Sequence, residues 1–407
     1  MKMKRTLSFM LAALLVLSLF CFTGCGAVNE NEVSILWSGN GEVETPNSLI
    51  NSMERTMYLK NINYKHYGAN GDGDTQLSQA KAALAAGCDA LVVELAGGLI
   101  TNQVLAASII SEAKEKNVPV VFFNCLVDES IIESYEKCYI VTSDIATVAD
   151  VQGEMIAAYV KANFAKLDKD KNGKLEYTFR GTGLVNIPAV EKANELLATE
   201  DYQVKNAEGK KLNTSIELAE IDLLRSELVL TESDDVAAAV LKELQAEGYN
   251  TDKLTTHLIP VFTIGEAVDY KDMVVAGRPE LPAELVIGEE DSDKVIKQKD
   301  KEIKKLEELK AYYEANKYLV DLTAVNESDL AEMVYTTVNV IDAGRLAGTA
   351  TEDRDAIAMA VATLVRNLVK GETATEGIAS KVKEGQIPSV TVEGQIVKVR
   401  YIAYTQA

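Results

Sequence analysis

The residues whose spacing most invites chemistry are Asp168-Lys169-Asp170-Lys171-Asn172-Gly173-Lys174-Leu175-Glu176. Carboxylate or amide oxygens stand at positions 1, 3, 5 and 9 of this stretch, and Gly173 stands at position 6, where a ligand loop must turn sharply. Alternate side chains bearing hard oxygens and aimed at one point are the donor set Ca2+ prefers. The stretch is the first half of the calcium-loop pattern D-x-[DN]-x-[DN]-G. It then departs from it. Position 12 is Phe179, and Leu175 to Phe179 alternates as a strand instead of opening a helix. A bound metal therefore needs its closing carboxylate from elsewhere in the chain. The other reading is a solvated turn between a helix and a strand.

Other candidate groups point to no reaction. His66 and His257 are the only two histidines, both in or beside strand-like runs, with no nucleophile or further ligand at a useful spacing. They read as structural residues. Asp72 and Asp74 lie in Gly-Asp-Gly-Asp, a turn sequence. Gly181-Thr182-Gly183 follows a strand but lacks the third glycine of a dinucleotide fingerprint. Cys88, Cys125 and Cys138 are odd in number and show no C-x-x-C spacing, so neither a full disulfide framework nor a structural zinc is indicated. They read as buried free thiols, with one pair open to bridging. Nothing here supports an enzyme.

These residues must be positioned by alternating strands and helices. Strands are expected at Val33–Trp37, Asn63–Tyr67, Ala90–Glu94, Val118–Phe123 and Tyr139–Thr142, with helices at about 47–60, at 76–86 and between the third and fourth strands. The third and fourth runs are continuously apolar, as parallel strands covered on both faces are. A helix at about 148–166 leads into the acidic loop and its strand. Helical periodicity follows at 189–198, 235–245 and 356–369, and further strands are expected at 217–221, 227–230, 258–264 and 396–401. The residues from about 291 to 318 are dense in Lys and Glu and read as a charged helical insertion. Such alternation gives an open, doubly wound α/β sheet whose ligands sit at the carboxyl ends of the strands. At 407 residues there is room for two or three domains.

The N-terminus reads as a leader. Met1-Lys2-Met3-Lys4-Arg5 is basic, and Leu7 to Phe22 is an apolar run short for a membrane span. Phe22-Thr23-Gly24-Cys25 is similar to the bacterial lipobox, which implies lipidation at Cys25, a signal peptide over 1–24 and a tether over 25–32. Acyl chains would hold the chain to the outer face of the cell membrane. Taking the three leader cations from 41 basic residues, against 62 acidic ones, leaves a net charge of about −24. That acidity argues against a nucleic-acid partner.

Val118-Pro119-Val120-Val121-Phe122-Phe123-Asn124, Ser134-Tyr135-Glu136-Lys137, Gln152-Gly153-Glu154 and the acidic loop together resemble the bacterial galactose/glucose-binding proteins. These are type I periplasmic binding proteins. The resemblance continues through Glu227–Asp235, Ile259–Phe262 and Gly344–Thr349, sparing an insertion at 268–322. It implies two doubly wound, Rossmann-like α/β lobes joined by a three-segment hinge. The first lobe would hold 33–143 with 353–388 and the second 144–352 with 389–407, with crossovers near Ser143, Glu352 and Pro388. It implies structural calcium at Asp168, Asp170, Asn172, Lys174 through its carbonyl, and Glu176, closed bidentately by Glu227.

For the ligand, the resemblance implies a sugar clamped between aromatic rings and surrounded by hydrogen-bonding side chains. Asn124 matches the expected Asn. The segment Asn186-Ile187-Pro188 lacks the expected Asp, and Lys192 stands near the expected Arg. Ser233 stands for an Asn, Gly265 for an Asp and Glu352 for an Asn. Asn124, Lys192, Ser233, Asp234 and Glu352 are the cleft candidates, with Trp37 as a possible stacking ring. The expected function is a lipid-anchored, monomeric, extracytoplasmic substrate-binding protein that presents a sugar-like ligand of galactose or glucose type to an ABC permease or a chemoreceptor. The rival is a calcium-stabilised scaffold or signalling lipoprotein that no longer binds sugar.

Overall fold

The apolar runs form strands buried on both faces. The computed structural model describes residues 32–39, 41, 49–206, 208–219, 222–250, 258–265, 299, 346–380 and 387–405. The leader, Cys25, the tether as far as residue 31, His257 and the 268–322 insertion apart from residue 299 lie outside them. The described strands are β1 (Glu32–Trp37), β2 (Asn63–Gly68), β3 (Ala90–Val93), β4 (Val120–Phe123), β5 (Cys138–Asp144), β6 (Lys174–Arg180), β7 (Ser215–Leu218), β8 (Leu228–Thr231), β9 (Val261–Ile264), β10 (Gly348–Thr351), β11 (Val390–Glu393), β12 (Ile396–Arg400) and β13 (Ile402–Thr405). The helices are α1 (Leu49–Leu59), α2 (Gly73–Ala86), α3 (Leu99–Glu115), α4 (Glu129–Ile132), α5 (Val148–Leu167), α6 (Asn186–Leu197), α7 (Asp234–Ala246) and α8 (Arg354–Lys370).

One sheet has the order β11-β12-β5-β4-β3-β1-β2, the other β13-β10-β9-β8-β6-β7. Pairing is parallel except for the antiparallel edge strands β11 and β13. Successive side chains of a strand face opposite ways, and the two faces of the first sheet show it. Val33, Ile35, Val92, Val121 and Phe123 join α1 and α8 in one core. Leu36, Leu91, Val93, Val120 and Phe122 join α2 and α3 in the other. In the second sheet Leu228, Leu230 and Phe262 pack with α5 and α6, whereas Val229 and Val261 pack with α7. This is the two-lobe fold of the type I periplasmic binding proteins.

Local chemistry sets the helix ends. Asp72 caps α2, accepting from the Asp74 N–H at 3.2 Å and the Thr75 hydroxyl. Gly87 ends it at φ 86°, a conformation that glycine adopts without Cβ strain. The Gly-Asp-Gly-Asp stretch is thus a capped turn. Where α5 crosses α6, a Cβ added at Gly153 would fall 2.6 Å from the Ala189 carbonyl oxygen, so only glycine permits that approach.

Strand pairing corrects one boundary. β11 and β12 belong to the first sheet, with Val399 opposite Ser143 and Arg400 opposite Asp144. The final crossover is therefore at Tyr401, between β12 and β13, and not near Pro388. Residues 389–400 build the first lobe. The other crossovers run from Asp144 into α5 and from Thr351 into α8. Two contacts tie this seam: the Tyr401 N–H donates to Thr147 Oγ1 at 3.1 Å, and Arg400 pairs with Glu154 of α5 at 2.8 Å.

Candidate ligand cleft and acidic loop

In the first lobe, the carboxyl ends of β1, β3 and β4 bring together Ser38, Glu94 and Asn124. Glu94 Oε2 accepts from the Ser38 hydroxyl at 2.6 Å and the Ser38 N–H at 3.2 Å. Its Oε1 accepts from Asn124 Nδ2 at 2.6 Å. Beneath them lies Gln76 of α2, wholly buried. Its Nε2 donates to the carbonyls of Glu94 (2.7 Å) and Trp37 (3.3 Å), and its Oε1 accepts from the Ala96 N–H at 2.9 Å. One side chain therefore holds two strand ends in register. Asn124 sits at φ 48°, in the left-handed region that Asn tolerates better than most residues.

Trp37 does not serve this cleft. It is 1% exposed and packs edge-on against Phe123, with ring centroids 5.1 Å apart. At the end of an inner strand whose odd residues face α1 and α8, its ring faces the core, so no face is left for a ligand.

The second lobe treats its candidates unequally. Ser233 Oγ accepts from the Val236 N–H at 3.3 Å and so caps α7. Lys192 lies on α6 with its stem against Gly153, and its ammonium is 3.7 Å from Glu195. Both are engaged in local structure. The Asp234 carboxylate lies over Gly265: a Cβ there would fall 1.9 Å from Asp234 Oδ1. An acid expected at position 265 is thus replaced in space by one from the start of α7. Glu352 ends its segment beyond β10, and burial together with this nearby carboxylate pushes the Tyr401 phenol up to about 12.

Two residues that sequence reasoning did not single out also shape this end. Glu232, after β8, accepts from Thr182 N (2.8 Å), Thr182 Oγ1 (2.9 Å) and Gly183 N (2.7 Å). These bonds, led by the Thr182 N–H, hold its carboxyl below the usual range and fix the loop before α6. Asn186, the first residue of α6, is fully buried, and neither of its amide atoms has a partner among the described residues. Glu94 was legible only as an acid ending an apolar run, a weak signal.

In the acidic loop, ligand-type oxygens of Asp168, Asp170 and Glu227 lie within 4.8 Å of one another. Glu227 precedes β8, and β6–β8 pairing carries it there: its N–H donates to the Glu176 carbonyl at 2.8 Å. Glu227 accepts from the backbone of Lys169 (2.8 Å) and Glu176 (3.0 Å). Burial, with Asp170 and Asp168 adding like charge, nevertheless raises its pKa. Asn172 stands beside them, its Nδ2 donating to Asp170 at 2.7 Å. The Lys174 ammonium turns away to Glu217 at 2.8 Å, leaving only its backbone to the loop. The Glu176 carboxylate is not part of the close group. Crowded carboxylates with a buried closing acid fit a hard divalent cation.

Comparison with known proteins bears on the family of the chain. The model of the periplasmic binding protein domain matches residues 47–278. The D-galactose/methyl-galactoside binding periplasmic protein of Haemophilus influenzae is 26% identical over 320 residues, covering 78% of this chain and 76% of the relative. Among solved structures, the periplasmic binding protein component of the arabinose ABC transporter from Shewanella sp. ANA-3 aligns at 12% identity and TM-score 0.41, covering 92% of each chain. An ABC transporter solute binding protein from Bacillus halodurans with bound myo-inositol aligns at 12% and 0.42, covering 93% and 96%. Likenesses this low settle nothing by themselves. The family model spans more than half the chain, and on that ground the chain belongs to the periplasmic binding proteins.

Proposed function

We propose that this protein is the extracytoplasmic substrate-binding component of an ABC transporter, closing its two lobes over a sugar or sugar-like polyol. The observation that carries this reading is the Ser38–Glu94–Asn124 group, set at three strand ends and locked from below by Gln76. Open parallel sheets bind ligands at their carboxyl ends. A prearranged polar platform there lowers the ordering cost of binding. The named sugar of the Haemophilus relative makes galactose-type ligands the first to try. Closure would turn on the crossovers at Asp144, Thr351 and Tyr401.

Two further assignments belong to this proposal. Asp168, Asp170, Asn172 and Glu227, with the Lys174 carbonyl and Glu176, would hold structural Ca2+ in the second lobe. Lipidation at Cys25 would anchor the chain to the membrane beside its permease. A second reading, a scaffold or chemosensory lipoprotein, draws support from Ser233 and Lys192 being engaged in a helix cap and an ion pair. A thermal-shift series with monosaccharides, polyols and nucleosides separates the two. Binding appears as a melting temperature that climbs with ligand concentration, and a flat response across the series favours the scaffold.

A further inference from the structure

We infer that the ion pair between Arg400 and Glu154 is a latch on the angle between the two lobes, holding it at its value in this structure until the pair breaks. The two side chains belong to different lobes. Arg400 ends β12, which pairs with β5 of the first sheet, and it stands there opposite Asp144. Glu154 stands on α5, whose Ile156, Val160 and Phe164 pack with Leu175, Leu228 and Phe262 of the second sheet. Arg400 Nη2 donates to Glu154 Oε1 at 2.8 Å, and the two side chains are only 18% and 32% exposed. Water and salt screen such a pair less than a fully exposed one.

The surrounding contacts leave this crossing no slack. Tyr401 is the single residue between β12 and β13. It belongs to one buried cluster with Val148, Val151 and Ala350, and its N–H donates to Thr147 Oγ1 at 3.1 Å. Ile402, the next residue, already stands opposite Thr351 in the second sheet. Glu154 lies six residues beyond Val148, where α5 begins, or about 9 Å along the helix. A turn of about 15° at the crossovers, a size that rigid-body transitions show, would carry it about 2 Å. That is enough to part a contact of 2.8 Å. A ligand that requires a different angle must therefore break the pair, and its affinity is lowered by what the pair contributes.

The test uses no ligand, so its failure leaves the solute-binding reading standing. Small-angle scattering reads the radius of gyration of the full chain, and hydrogen exchange reads the Tyr401 amide. Glu154→Gln and Arg400→Gln should each shift the radius of gyration by the same amount, and the double variant no further, because either change removes the whole interaction. The Tyr401 amide should exchange about tenfold faster in all three, while the amides of β6 and β8 keep their rates. Salt at about 1 M, where the Debye length is about 3 Å, should move the unaltered chain part of the way. The charge swap, Glu154→Arg with Arg400→Glu, should bring both measurements back toward those of the unaltered chain, with circular dichroism confirming folding throughout. A radius of gyration unchanged in the single variants, or shifts that add in the double one, overturns the latch and leaves the pair a structural contact only.

Discussion

Two carboxylate groups, one in each lobe, have opposite needs. Glu94 is satisfied by protein alone: three donors from Ser38 and Asn124 surround it, and no other acid is among its partners. Glu227 also accepts two backbone N–H groups, yet it is only 7% exposed and meets the like charges of Asp170 and Asp168, and its pKa rises. Hydrogen bonds to neutral donors spread a carboxylate's charge without removing it. Three acids inside 4.8 Å form a group whose like charges a bound cation would neutralise. The first group is therefore arranged before its ligand arrives, whereas on the proposed reading the second would be completed by one. A lobe that owes part of its stability to an ion depends on the concentration of that ion, and a lobe built on a buried amide does not.

Breaking the metal group should have the largest effect. At a thousandfold excess over Kd, calcium should stabilise the second lobe by about 4 kcal/mol. Calorimetry before and after chelation should show that difference, and Glu227→Gln should abolish it. Melting unchanged by chelation would remove the cation from the comparison. The first lobe should instead respond to Gln76→Leu, which strands the Ala96 N–H and the Glu94 carbonyl and leaves the Trp37 carbonyl with the Ala69 N–H alone. Unpaired buried groups of this kind should cost about 2–4 kcal/mol in urea denaturation, with or without calcium.

A smaller effect sharpens the contrast through pH. On edge strand β2, His66 Nδ1 lies 2.9 Å from Glu54, which is buried, and this hydrogen bond raises the imidazole pKa above 6.5. A raised folded-state pKa gives stability that is fully present below the unfolded value and lost as pH rises through the folded one. Because His66 is about half exposed, screening keeps the gain under about 1 kcal/mol. Denaturation midpoints of the first lobe should drift down across that window, and Glu54→Gln should flatten the drift.

Much of the fold was legible because it is periodic. The runs at β3 and β4 could only be covered strands, and the helix pattern from 356 became α8. Misjudgements fell where one element passes into another. The expected single strand over 396–401 is β12, and β13 begins after Tyr401 in the other sheet with antiparallel pairing. Ile402-Ala403-Tyr404-Thr405 has no turn residue before it, so nothing local announces a change of sheet. Trp37 was open to either role until its neighbours were known. Its burial follows from the central place of β1 between β2 and β3.

By itself the sequence determined the alternation of strands and helices, the capped turn at Asp72 and the oxygen spacing from Asp168 to Asn172. Each depends on residues within a few positions of one another, where backbone geometry leaves little choice. Tertiary structure decided what closes the acidic loop, which acid occupies the space over Gly265, and how Ser38, Glu94 and Asn124 meet. Those partners stand 30 to 86 residues apart, and the order of strands in a sheet, not the spacing along the chain, brings them together.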